Sequence, residues 1–242
     1  QFRITCNWSH VGNDDPIIFP NQPGRAHAHL FFGNTQTNAD TTFDQFDTGS
    51  PDDIFNNGGS TCQGNVLNRS AYWIPAIYGG PEGPGRQFVM PDNILLYYKS
   101  HQPQDVQIFP AGVQLLVGNV NPGGSVNSSF SPATESLHWG CYSAPNGQTL
   151  SASWQTTIPT NCNEVSSACP NGGCPIQATI QFPQCMETDD GLSTGNPVRT
   201  SPDFLSHTLQ INQNFTCPAS HPYRIPQISY LIRWNQPAGS QA

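Results

Sequence analysis

The sequence predicts an all-β fold: an antiparallel sandwich or jelly-roll-like single domain over residues 1–242, with long loops and four disulfides. Three observations predict it. Short alternations of apolar and polar residues at strand period recur along the chain. Gly 22 and Pro 23 punctuate them, as turns and edge strands require. No amphipathic helix, internal repeat or linker interrupts the pattern. A length of 242 residues is normal for one sandwich or barrel. Thirteen Phe, seven Tyr and five Trp can supply its core, with disulfides supplementing it.

Taken in order, residues 1–24 read as irregular, with Pro16, Pro20 and Pro23 blocking a long helix. The stretch Arg25-Ala-His27-Ala-His29-Leu-Phe-Phe-Gly33-Asn34 follows as a strand and turn. Alternation along it puts Arg25, His27 and His29 on one face and Ala26, Ala28 and Leu30 on the other. Residues 34–60 read as a long polar loop carrying Asp40, Asp44, Asp47, Asp52 and Asp53. Ser70–Tyr78 is a strand broken at Pro75, and Gly79–Gly85 a turn cluster. Asn93–Lys99, Val113–Val117, Ser151–Ile158, Gln177–Phe182, His207–Asn212 and Ile228–Trp234 have strand composition and spacing.

Composition narrows the setting. Charged residues are only 10% and the formal net charge is −8. A phosphate backbone needs clustered Lys and Arg, so no nucleic-acid partner is expected, and no anionic membrane surface. No apolar run approaches the roughly 18 residues that span a bilayer. The cysteines Cys6, Cys62, Cys141, Cys162, Cys169, Cys174, Cys185 and Cys217 are even in number, which fits an oxidising compartment. Four acceptor sequons, at Asn7, Asn68, Asn127 and Asn214, agree with export and glycosylation. The chain opens at Gln1 as a processed, secreted form would.

Arg25, His27 and His29 form the most specific local constellation. Two imidazoles at i and i+2 can share a metal ion if a third ligand arrives, His138 or His207 being the candidates. The adjacent Arg25 charge disfavours that, and no metal or other cofactor is expected. A histidine beside an arginine can instead act as a base while the arginine meets a substrate carboxylate. By periodicity alone His207 is a core histidine, because its face continues as Leu209 and Ile211. His221 lies on a Pro-flanked turn and reads as structural. Glu187, Asp189 and Asp190 follow Cys185 closely, and Asp203 precedes His207 by four. Paired carboxylates would suit glycoside hydrolysis. No nucleophile elbow, P-loop or dinucleotide fingerprint is present.

These motifs, in order, resemble a secreted fungal and bacterial family catalogued as domain of unknown function 1996. The likeness runs through His27-Ala-His29-Leu-Phe-Phe-Gly33-Asn34, Ser60-Thr-Cys62 and Ser70-Ala-Tyr72-Trp73-Ile-Pro75. It continues through Phe109-Pro-Ala-Gly112, Trp139-Gly-Cys141, Phe182-Pro-Gln-Cys185, Ser206-His207 and Cys217-Pro-Ala-Ser-His221-Pro222. It covers nearly the whole chain. The resemblance implies an extracellular, disulfide-bonded domain, joined in some relatives to carbohydrate-binding modules, with a polysaccharide or cell-wall glycan as partner. It carries the family's His-x-His onto His27 and His29, its aromatic pair onto Tyr72 and Trp73, and its acidic residue onto Glu187. Its Asp-His-x-Ser-His pattern falls on Asp203 to His207, which raises His207 above a core role. The chain departs from the pattern at Met186, where Trp is usual, and at Phe204, where the first histidine of that motif would stand.

The leading expectation is a secreted, monomeric, glycan-active enzyme acting by hydrolysis or β-elimination. His29 and His207 are its acid–base candidates, with Tyr72 as proton donor or stacking group and Asp203 and Glu187 as carboxylates. Arg25, His27 and Trp73 would bind substrate. The alternatives are a non-catalytic carbohydrate-binding or wall-associated domain and a histidine-based metal protein. Chain order suggests the pairings Cys6–Cys62, Cys141–Cys174, Cys162–Cys169 and Cys185–Cys217.

Overall fold

The computed structural model describes residues 1–43, 50–79, 86–100, 106–118, 136–143, 148–149, 158, 175–211 and 215–234. The fold is all-β and antiparallel. Among the described residues the strands are β1 (Phe2–Cys6), β2 (Trp8–Gly12), β3 (His29–Gly33), β4 (Ala71–Pro75), β5 (Ile77–Gly79), β6 (Gln87–Val89) and β7 (Ile94–Lys99). They continue with β8 (Leu137–Ser143), β9 (Gln148–Thr149), β10 (Ile176–Gln181), β11 (Cys185–Met186), β12 (Thr208–Leu209), β13 (Tyr223–Arg224) and β14 (Gln227–Trp234). One 3-10 turn, Asn65–Leu67, is the only named helical element among the described residues.

A six-stranded sheet has the order β1-β7-β14-β10-β8-β9. A three-stranded sheet, β2-β3-β4, contributes to the same buried core. Its register pairs Leu30 with Ile74 and Phe32 with Tyr72, so these four side chains share one face. They are buried in one cluster with Ile4, Ile94, Leu96, Ala178 and Ile232 of the six-stranded sheet. Burying such aliphatic and aromatic groups contributes about 1.5–3 kcal/mol each. A second three-stranded sheet, β12-β11-β13, and a two-stranded hairpin, β5-β6, lie beside these.

The break at Pro75 is seen: β4 ends there and β5 begins at Ile77. The 25–34 strand is shorter than expected. Arg25 to Ala28 still alternate outward and inward, but pairing begins only at His29. Residues 1–24 are not irregular throughout. Phe2, Ile4 and Cys6 alternate with Arg3 and Thr5, and β1 pairs with β7 along its whole length. The proline-based reading stopped at Pro16 and missed this alternation. Val113–Val117 is not a strand; Gln114 instead donates its main-chain N–H to the Arg199 carbonyl. Of Ser151–Ile158, only Ile158 lies within the described residues.

Gly33 ends β3 in the left-handed region, at φ 80°. A Cβ there would come within 2.1 Å of the Ser70 carbonyl oxygen, so only glycine fits. Asn34, fully buried, then ties down the polar loop. Its amide nitrogen donates to the Asn57 and Ile54 carbonyls at 2.8 and 3.3 Å, and its oxygen accepts from the Gln36 N–H. Two expected disulfides are described, Cys6–Cys62 and Cys185–Cys217. Cys141 is also disulfide-bonded. Cys162, Cys169 and Cys174 lie outside the described residues, and with them the other two expected pairings.

Candidate functional site

The other face of the β2-β3-β4 sheet carries His29, Phe31 and Trp73, set side by side by the same register. The loop after β2 folds over it. Asp15 caps the start of that loop's turn, its Oδ1 accepting from the Ile17 and Ile18 N–H groups at 2.9 Å each. This holds the carboxylate still and turns Oδ2 towards the sheet. The Trp73 indole N–H donates to Oδ2 at 3.3 Å, and His29 Nε2 lies 4.0 Å from the same oxygen.

His29 is 4% exposed. Its Nδ1 lies 2.8 Å from the Asp14 carbonyl oxygen, and a carbonyl can only accept, so Nδ1 carries the proton. Nε2 of the neutral ring is therefore a lone pair beside a carboxylate. Burial holds the His29 pKa below its ordinary value; the Asp14 carbonyl opposes this, neighbouring His27 adds to it, and Asp15 and Asp14 oppose it. The His27 ring packs against His29 at 4.3 Å between centroids and is exposed.

Asp15, His27, His29 and Trp73 all line one cavity of about 980 Å³. It runs the length of β4, from Ser70 to Pro75, which is the outer strand of its sheet. The 109–117 segment forms another wall, and Ile180, Ile228 and Tyr230 of the six-stranded sheet, with Phe182 just after β10, complete the lining. Tyr72 and Tyr98 hydroxyls face each other at 2.8 Å within this lining. Burial, then the neighbouring tyrosines, raise the Tyr98 pKa far above its ordinary value, so the Tyr98 hydroxyl stays protonated at neutral pH.

The remaining expected site residues fall elsewhere. Arg25 turns away from the histidines: its guanidinium bonds the Gln22 side-chain oxygen and lies over the Phe19 ring at 5.1 Å. His207 is 0% exposed. Its Nε2 bonds the Gln114 carbonyl at 2.8 Å and its Nδ1 the Ser201 hydroxyl at 3.0 Å. Burial lowers its pKa, against the Gln114 bond. Asp203 Oδ1 accepts from the Ser201 and Ser206 hydroxyls and from the Leu205 and Ser206 N–H groups. It organises the turn that presents His207. Glu187 is exposed, its N–H bonded to the His207 carbonyl. None of His207, Asp203 and Glu187 lines the cavity. His207 touches it only through Gln114, whose side of the wall faces the hollow.

Among the described residues, no three of His, Cys, Asp and Glu are placed to share a metal ion. Asp15 is the site residue that motif reading passed over. Its signal was local: an Asp before Pro16 and two apolar residues is a turn-capping pattern, but nothing in it announced that Oδ2 would meet Trp73 and His29 from two other strands. Of the sequons, Asn7 is exposed, while Asn68 is half-buried, lines the cavity and accepts from the Tyr72 hydroxyl at 3.4 Å. Asn127 and Asn214 lie outside the described residues.

A family model described as a domain of unknown function (DUF1996) matches residues 15–241. No curated protein and no solved structure matches the chain.

Proposed function

Because the chain belongs to the DUF1996 family, we propose that it is a secreted glycan-active enzyme, its two main sheets packed as a sandwich, and that its reaction starts at His29. The observation that carries this reading is the fixed tautomer of His29. Nδ1 is committed to the Asp14 carbonyl, which leaves the Nε2 lone pair beside Asp15 at the cavity. A lowered pKa keeps that lone pair available at neutral pH.

In hydrolysis Nε2 takes a proton from the water that attacks the anomeric carbon, the glycosidic C–O bond breaks, and the leaving oxygen takes up a proton from solvent. In β-elimination Nε2 takes the proton from the uronate carbon beside its carboxylate, a C=C bond forms, and the glycosidic oxygen on the next carbon leaves and is protonated by solvent. Either step turns His29 into an imidazolium. The Asp15 carboxylate, 4.0 Å away, then stabilises the new charge, as a buried acid does for a catalytic histidine. Trp73, held by its indole bond to Asp15, offers a ring face for a sugar. His27, exposed beside His29, contacts the substrate. Export rests on the disulfides and sequons.

The test is a panel of cell-wall polysaccharides, scored for reducing ends and for unsaturated uronate absorbance. Wild type releases one product class, and His29→Gln and Asp15→Asn lower the rate about 100-fold or more while still binding the glycan. Wild-type rates in both variants would refute the reading. One observation favours a purely binding role instead: both Asp15 oxygens are already engaged, by Ile17 and Ile18 and by Trp73. Retention on a glycan with no product from wild type would select that reading.

A further inference from the structure

The lining of the cavity is unlike a surface made for bare sugar. We propose that its ligand is an amphiphile, a sugar or polyol head carrying an alkyl or aryl group, with the head at Asp15, His27 and His29 and the apolar group along β4. This rests on the functional reading for the place of the head but not for the tail.

The argument starts from the wall. Val113, Leu115, Leu116 and Val117, with Gln114 between the first two, are partly buried and all line the hollow. Leu115 and Val117 pack against the core as they do so, so this segment gives the cavity an apolar wall. Opposite them, Ile228 and Ile180 are also only partly buried. At the rim, Leu67 is 92% exposed, Phe55 52% and Val66 48%, and all three line the same hollow. Contiguous apolar surface of this kind marks a binding site.

Its size, about 980 Å³, is at the upper end for small-molecule pockets. In the lining, the Tyr72 and Tyr98 hydroxyls bond each other, and the Tyr72 hydroxyl also donates to Asn68, so these polar groups already have partners. Sugar hydroxyls laid against these aliphatics would lose water without gaining partners. An alkyl or aryl group would gain there instead. Asp15, His27 and His29 gather where β3 pairs His29 with Pro75, while Arg69, also in the lining, is bonded to the Gly58 carbonyl, so a head and a tail find separate places along one strand.

The test is binding of hexyl to nonyl β-glucosides below their micelle concentrations, by calorimetry, with methyl β-glucoside and a plain oligosaccharide as controls. Affinity rises about fourfold for each added methylene, the factor expected for full burial. Leu67→Ser and Phe55→Ser, which change exposed rim residues, weaken nonyl glucoside at least fivefold and leave thermal stability unchanged. His29→Gln keeps the chain-length slope. A flat series, or a slope that the rim variants do not alter, overturns the proposal even where product release from plain glycan persists. A steep series in a protein whose His29→Gln variant still cleaves glycan keeps this proposal and removes the functional one.

Discussion

His29 and His207 are both buried, and they differ in how their ring nitrogens are bonded. His207 is bonded on both sides, whereas His29 Nε2 has only the distant Asp15 oxygen. His207→Asn loses buried contacts and one ring bond, costing about 2–3 kcal/mol. Thermal melting reads this as a fall of roughly 5–10 °C. Burial holds both histidines below their ordinary values. The unfolded chain therefore binds more protons than the folded one as pH drops below about 6.5. Stability is full above that pH and falls as pH descends towards the folded values, which urea titrations at several pH values would show. If Nε2 is the working base, the acid limb of activity likewise lies below pH 6.5. Asp203, pulled well below the carboxylate range by Ser201 and the turn N–H groups despite desolvation, adds its loss only under stronger acid.

At the scale of elements, the long loop hangs on Asn34. Asn34→Ala removes three buried bonds and orphans the Ile54 and Asn57 carbonyls. A loss of about 2–4 kcal/mol is expected, measurable by chemical unfolding. Replacing Cys6 and Cys62 by Ser frees a loop of 56 residues, costing about 4 kcal/mol on the chain-entropy account. Strands whose pattern was decided locally were legible: β4, β7, β10 and β14 fall where alternation and Pro75 put them. Val113–Val117 was not, because four apolar residues in a run of five fit a buried strand and a cavity wall equally well. Only the Gln114 bond to Arg199, a contact distant in sequence, decides between them.

At the scale of the whole molecule, the function turns on which residues the sheets bring to one hollow. His29, Tyr72 and Trp73 arrive there from two adjacent strands and His27 from the segment leading into β3, and the His-x-His spacing made two of them visible in advance. Asp15 came from a loop 14 residues before His29, and no spacing rule links them. His207 and Asp203 share a motif with the family pattern, yet their bonds run into the turn and the back of the 109–117 wall. Sequence motifs register that residues are constrained, and a buried bonded histidine is constrained as tightly as a base.

The most direct measurement is product release per folded molecule by His29→Gln and by His207→Asn, on the glycan that wild type cleaves best and well below either variant's melting temperature. The account predicts a loss of about 100-fold or more for His29→Gln and a rate within about twofold of wild type for His207→Asn. Full activity in His29→Gln together with loss in His207→Asn would contradict it.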